Sequence, residues 1–140
     1  MLEAGYIVLC DRYVYTSFAR DGVRNCDPEW LRELYSFAVE PDIAFYFQLP
    51  ADVALNRILA GRPNLKWFEA GMDLRLSNDI IKSFKKFSKM IMDLYENMVD
   101  EFQFEIIDGT DEVHDKQKLM RKIVCDKLEL SQFDRRERQR

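Results

Sequence analysis

Three short apolar runs of strand-forming residues, separated by helical patterns, constrain this chain more than any other feature. "YIVLC" (6–10) and "DIAFYFQL" (42–49) carry few polar side chains, as expected of strands buried on both faces of a parallel sheet. Pro41 and Pro50 bracket the second run, and Asp108-Gly109 stops the third, "FQFEIID" (102–108). In "DPEWLRELYSFAV", Asp27 stands at an N-cap and Pro28 at the first helical position, with Trp30, Leu34 and Phe37 on one face. "ADVALNRILAG" reads as a short helix ended by Gly61. The strongest helical signal is "SNDIIKSFKKFSKMIMDLYENMV", where Ile80, Phe84, Phe87, Ile91, Leu94 and Met98 recur at alternating steps of four and three. That stripe predicts a helix of about 22 residues, roughly 33 Å long. A last helix is predicted over about 112–129, burying Val113, Leu119, Ile123 and Val124.

The alternation predicts an α/β fold: a parallel sheet with flanking helices and right-handed crossovers. The strand carboxyl ends then share one edge, where ligands bind in such sheets, and Asp11, Arg12, Pro50 and Asp108 lie there. A chain of 140 residues suits one domain. Its predicted extent is 1–130, followed by a basic flexible tail, 131–140, that ends in "RRERQR". The net charge of −4 argues against a nucleic-acid partner. No apolar run approaches the ~20 residues of a membrane helix, and Met1-Leu2-Glu3 does not open a secretory signal. Cys10, Cys26 and Cys125 are scattered, which predicts small core residues in a reducing cytoplasm. His114 is the only histidine and sits in a charged stretch, so it is expected on a helix surface and not in a catalytic triad.

An aspartate ending a buried strand suits a magnesium ion held through water. The adjacent arginine offers a planar fork for phosphate. Asp11 and Arg12 together therefore point to phosphoryl transfer, or else to an ion pair that merely caps a strand. Arg57, Arg62 and Lys66 sit in or beside a glycine-bounded segment, about 61–71. It reads either as a cationic lid that closes over phosphates or as a loop with ordinary surface charges. Trp67 and Phe68, next to Glu69, either line a base or sugar pocket or anchor the loop to the core.

Four segments, "GYIVLCDRYVYTS", "PDIAFYFQLPADVALNRI", "FEAGMDL" and "IIDGT", resemble in order and spacing the signature segments of thymidylate kinases. The resemblance covers nearly the whole chain and implies a P-loop NTPase-like fold, with the γ-phosphate of ATP passing to dTMP in the presence of Mg²⁺. By position, Asp11 resembles the family's magnesium-linked acid and Arg12 the arginine on the acceptor phosphate. Thr16 and Ser17 match polar positions facing the base, and Phe68, before Glu69, an aromatic near the acceptor sugar. Arg57 and Arg62, with Lys66, match the start of the lid on the ATP side, and Gly109 the turn bordering adenine. The chain departs from the family at Arg20 and Asp21, where an aromatic and a glutamine are usual.

A larger departure is that the five glycines form no GxxxxGK[ST] phosphate loop. The resemblance places that loop and its strand centrally, between the strands at 6–10 and 42–49. Missing this strand, the chain alone is expected to be inactive, and to be stable only by re-pairing, as a homodimer or with a complementary phosphate-loop fragment. Two other readings stay open. One is a kinase of another acceptor, either a deoxynucleoside kinase or a polyphosphate-dependent nucleotide kinase. The other is a non-catalytic interaction or regulatory module.

Overall fold

The computed structural model describes residues 2–133. Its sheet has two parallel strands, β1 (Phe45–Gln48) and β2 (Glu105–Asp108), with Phe45 opposite Glu105 and Gln48 opposite Asp108. The Glu105 amide donates to the Ala44 carbonyl at 2.9 Å where the ladder begins, and the Gly109 amide to the Gln48 carbonyl at 2.7 Å where it ends. Five helices surround the pair: α1 (Val14–Gly22), α2 (Pro28–Leu34), α3 (Ala51–Gly61), α4 (Ile80–Met98) and α5 (Val113–Lys127).

Local chemistry explains most of the helix boundaries. The Asp27 carboxylate accepts from the Trp30 amide at 2.8 Å, and Asp79 does the same for the Lys82 amide at the start of α4. Along α4, Phe84, Phe87 and Met98 are buried and Ile91 and Leu94 pack against the core, as the sequence stripe requires. One core gathers Tyr15, Phe18, Leu31, Tyr46, Met98 and Phe104; the other gathers Leu55, Leu65, Ala70 and Phe84. Tyr15 meets Phe104 edge-on at 4.8 Å, and Tyr46 stacks on Tyr95 at 5.0 Å, geometries that aromatic quadrupoles favour.

The structure corrects four expectations. Residues 6–10 form no strand and are exposed, with Leu9 92% accessible. A strand needs a neighbour for its backbone groups, and among the described residues this segment has none. The Trp30, Leu34 and Phe37 face is also exposed, because α2 stops at Leu34 and turns Leu31 inward instead. No residue of α5 is fully buried, and Val113 and Leu119 face solvent. Cys10 and Cys125 are exposed and only Cys26 packs against the core. The helix α1 was not anticipated. The predicted tail starts in a 3-10 turn, Leu130–Phe133, and "RRERQR" lies outside the described residues. His114 sits on the α5 surface as expected. Among the described residues, no helix is long and apolar enough to cross a membrane.

Two predictions follow from the packing. Gly71 has a left-handed backbone (φ 62°), and a Cβ there would lie 2.5 Å from the Phe87 ring. Gly71→Ala should therefore cost roughly 2–4 kcal/mol, from backbone strain plus overpacking; a melting temperature equal to the parent's would refute the close approach. Burial, followed by the charge of Glu96 and the neighbouring Tyr95 and Asp93, pushes the Tyr46 hydroxyl up to about 12. A raised acid stabilises the fold below its unfolded value, near 10, and that contribution is lost as pH rises through 12. Ultraviolet titration of the six tyrosines should leave a late phase that coincides with unfolding. Ionisation of all six near their ordinary value, with the fold intact, would contradict this placement.

Candidate functional site

The unpaired segment 6–10 delivers Asp11 and Arg12 to the start of α1, and both are exposed. Arg12 has a left-handed backbone at φ 68°, a region that non-glycine residues enter at a cost of order 1 kcal/mol or more. Among the described residues, neither side chain makes a hydrogen bond or ion pair, so the strand-capping pair does not form. Asp11 is a lone carboxylate, since no cluster of three potential metal ligands occurs among the described residues. Magnesium tolerates such a site, because it keeps its waters and takes its remaining ligands from phosphate oxygens.

One turn into α1, Thr16 and Ser17 are each engaged by a tyrosine. The Tyr95 hydroxyl donates to Thr16 Oγ1 at 3.3 Å, and the Tyr35 hydroxyl to Ser17 Oγ at 3.1 Å. These contacts orient both hydroxyls and tie α1 to α4 and to the turn after α2.

Arg57 reaches from α3 to the end of β2, where its Nη1 donates to the Gly109 carbonyl at 2.9 Å. The same carbonyl accepts from Lys116 Nζ at 3.1 Å. Gly109 is buried so closely that a Cβ would lie 2.7 Å from the Gln48 carbonyl oxygen, which is why the turn tolerates no side chain. The Asp108 carboxyl lies below its usual range because the Thr110 hydroxyl and amide both donate to it, with Lys116 adding charge. Two of the expected ATP-side residues, Arg57 and Gly109, are thus in contact. Lys116 joins them without having been singled out from the sequence.

The segment 61–71 is closed by its own charges. Arg62 pairs with Glu69, and the Lys66 amide donates to the same carboxylate at 3.3 Å. Burial pushes the Glu69 carboxyl up, but the Arg62 hydrogen bond, the Lys66 amide and the charge of both residues outweigh it, and the net shift is downward. Leu65 and Ala70 anchor the segment in the second core. Trp67 and Phe68 do not; they meet edge-on at 4.9 Å with both rings exposed. Just beyond, Arg24 pairs with Asp73 at 2.8 Å, a contact that sequence reasoning did not identify. A groove of about 420 Å³ lined by Tyr13, Phe18, Tyr35 and Phe102 lies elsewhere and holds none of the expected site residues.

Comparison with known proteins gives this arrangement a context. The family model described as thymidylate kinase matches residues 1–120. A probable thymidylate kinase 2 of Saccharolobus solfataricus is 39% identical over 132 residues, covering 94% of this chain and 62% of the relative. A probable thymidylate kinase of Thermococcus kodakarensis is 51% identical over 57 residues, covering 41% of this chain and 28% of the relative. A thymidylate kinase of Brachyspira hyodysenteriae is 35% identical over 86 residues, covering 61% of this chain and 42% of the relative. The chain therefore spans less than two thirds of the length of each of these relatives. With a family match across most of its residues, the chain belongs to the thymidylate kinase family.

Proposed function

We propose that this chain is the acceptor- and lid-bearing part of an enzyme that transfers the γ-phosphate of ATP to dTMP. The observation that carries this reading is Arg12, exposed at the head of α1 with a left-handed backbone and, among the described residues, no hydrogen bond or ion pair. Strain of this kind persists where the surrounding structure requires it, most often at ligand sites. Arg12 grips the acceptor phosphate, while Thr16 and Ser17 face the base and Phe68 and Glu69 border the acceptor sugar. Asp11 would hold Mg²⁺ through water, and the bound ion would supply charge neutralisation at the phosphate. Arg57 and Gly109 border adenine, and residues 61–71 form the lid, with Arg62 and Lys66 facing the ATP phosphates. The site operates in the cytoplasm.

The strand that covers residues 6–10 and carries a phosphate loop comes from residues other than these, in a longer chain or a complementary fragment; a second copy could cover the run but would bring no phosphate loop. Exposure of all five residues of 6–10 supports this: a run that apolar has no reason to face water in a finished fold. Until that strand arrives, the chain binds acceptor and transfers nothing.

Calorimetric titration tests the acceptor site. The chain should bind dTMP, and Arg12→Gln should weaken binding by at least about tenfold, as expected for the loss of a charged hydrogen bond to phosphate. Equal affinity in the variant, or a preference for thymidine over dTMP, would sink this role. In a coupled assay with Mg-ATP, turnover should be absent for the chain alone and should appear on adding a fragment that carries GxxxxGK[ST] and its strand. Robust turnover by the pure chain would overturn the second half of the proposal.

The lid makes its own prediction. Glu69→Gln should remove the clasp and speed tryptic cleavage of the Lys66–Trp67 bond several-fold. Unchanged cleavage would mean the segment is held by Leu65 and Ala70 alone.

A further inference from the structure

We propose that Arg24 and Asp73 are a positioning pair that fixes the turn ending the lid against α1. Building on the acceptor reading above, the pair sets where Phe68 and Glu69 stand relative to Thr16 and Ser17. Backbone bonds close the 3-10 turn Met72–Leu74 locally, the Leu74 amide donating to the Gly71 carbonyl at 3.1 Å and the Arg75 amide to the Met72 carbonyl at 3.2 Å. Both flanking residues are left-handed, Gly71 at φ 62° and Arg75 at φ 52°. What the local bonds do not supply is the placement of the turn against the helices around it.

Three contacts impose it. Gly71 lies directly against the Phe87 ring, where even a Cβ would collide. The Ser83 hydroxyl, fully buried in α4, donates to the Ala70 carbonyl at 2.7 Å. The third contact is Arg24, 49 positions earlier in the chain. Its Nε donates to Asp73 Oδ2 at 2.8 Å, its Nη1 donates to the Arg20 carbonyl at 2.6 Å, and its guanidinium carbon stands 5.3 Å from the Phe87 ring centre. The first two contacts join the turn to α4, and only Arg24 joins it to α1.

The arginine is oriented before it meets Asp73. A hydrogen bond to the end of α1 and an aromatic face fix the plane of its fork, a geometry that lysine cannot reproduce. Asp73 gives little slack in return. Its second oxygen, Oδ1, is enclosed and has no partner among the described residues. Without Arg24 this half-buried carboxylate would lose its one side-chain partner, and the turn would open to hydrate the enclosed oxygen. Thr16 and Arg20 stand one turn apart on α1, and Arg24 follows in the turn just past its end at Gly22, tied back to the Arg20 carbonyl. Phe68 and Glu69 lie just before the clamped turn. The pair thereby couples the two segments that carry the acceptor residues.

Hydrogen exchange and dTMP titration on the same samples test this. In the ligand-free chain, Arg24→Gln and the milder Asp73→Asn should speed amide exchange in peptides over 70–75 by at least about tenfold, leaving the middle of α4 protected. Arg32→Gln breaks a different ion pair, Arg32–Glu101, and should leave that turn unchanged. Both pair variants should also weaken dTMP binding by a similar factor, and Arg24→Lys should restore neither property. Unchanged exchange at 70–75 overturns the clamp, whatever dTMP does. Faster exchange with unaltered dTMP affinity overturns the positioning role. If the parent chain does not bind dTMP at all, the acceptor reading fails, and the exchange data alone decide whether the pair holds the turn.

Discussion

The parallel pairing of β1 with β2 is the constraint on which the rest of this molecule depends. Four residues face four, and two strands of that length have no independent stability in water. What holds them is the aromatic layer on their helix-facing side, where Tyr46 and Phe104 meet Tyr15 and Tyr95. Because the strands run in parallel, their carboxyl ends coincide. The turn at Gly109 then falls beneath the Gln48 carbonyl and within reach of Arg57 from the helix that follows β1. Arg57 and Gly109 meet because of strand register, although they are 52 positions apart in the chain.

Helix α4 plays the corresponding role for the other half. One face supplies Phe87 to the Gly71 turn, Ser83 to Ala70 and Tyr95 to Thr16. Of these only Phe87 belongs to the stripe that made this helix conspicuous in the sequence; Ser83 and Tyr95 stand beside it. A substitution along it would disturb the core, the lid root and α1 together, and stability and ligand binding would move in concert.

Legibility followed burial. The runs at 42–49 and 102–108 and the stripe at 80–98 could be read because each pairs or packs with something inside the chain. The run at 6–10 reads equally well as a strand, yet forms none. Its pattern encodes a neighbour, and no described residue is that neighbour. The α5 stripe and the Trp30 face failed in the same way, as apolar residues without a covering surface. Helix α1 was missed for a different reason. Tyr15, Phe18, Ala19 and Val23 stand at helical spacing, but no capping side chain marks the start: Tyr13 holds the N-cap position and makes no cap hydrogen bond. The residue types of the candidate site were legible, whereas their partners were not. Neither the Arg62–Glu69 pair nor the Arg24–Asp73 pair was among the expectations, because both depend on how the chain packs, which no spacing rule conveys.

The charges of the candidate site divide into two kinds. Asp11 and Arg12 are exposed and, among the described residues, make no hydrogen bond or ion pair. Arg62, by contrast, is engaged by Glu69, and Arg57 and Lys116 share one backbone carbonyl. If the lid receives phosphate as proposed, the phosphate must displace a carboxylate from Arg62. Phosphate carries more charge and offers more acceptor oxygens than Glu69, so the exchange is favourable once the phosphate is held nearby. Placing it there needs a backbone nest of the kind a phosphate loop provides. Until then Glu69 keeps the arginine oriented and the lid folded. On the proposed reading, the Arg62–Glu69 clasp and the exposed run at 6–10 answer to one requirement, a phosphate-binding element that would cover the run and bring phosphate to the arginine.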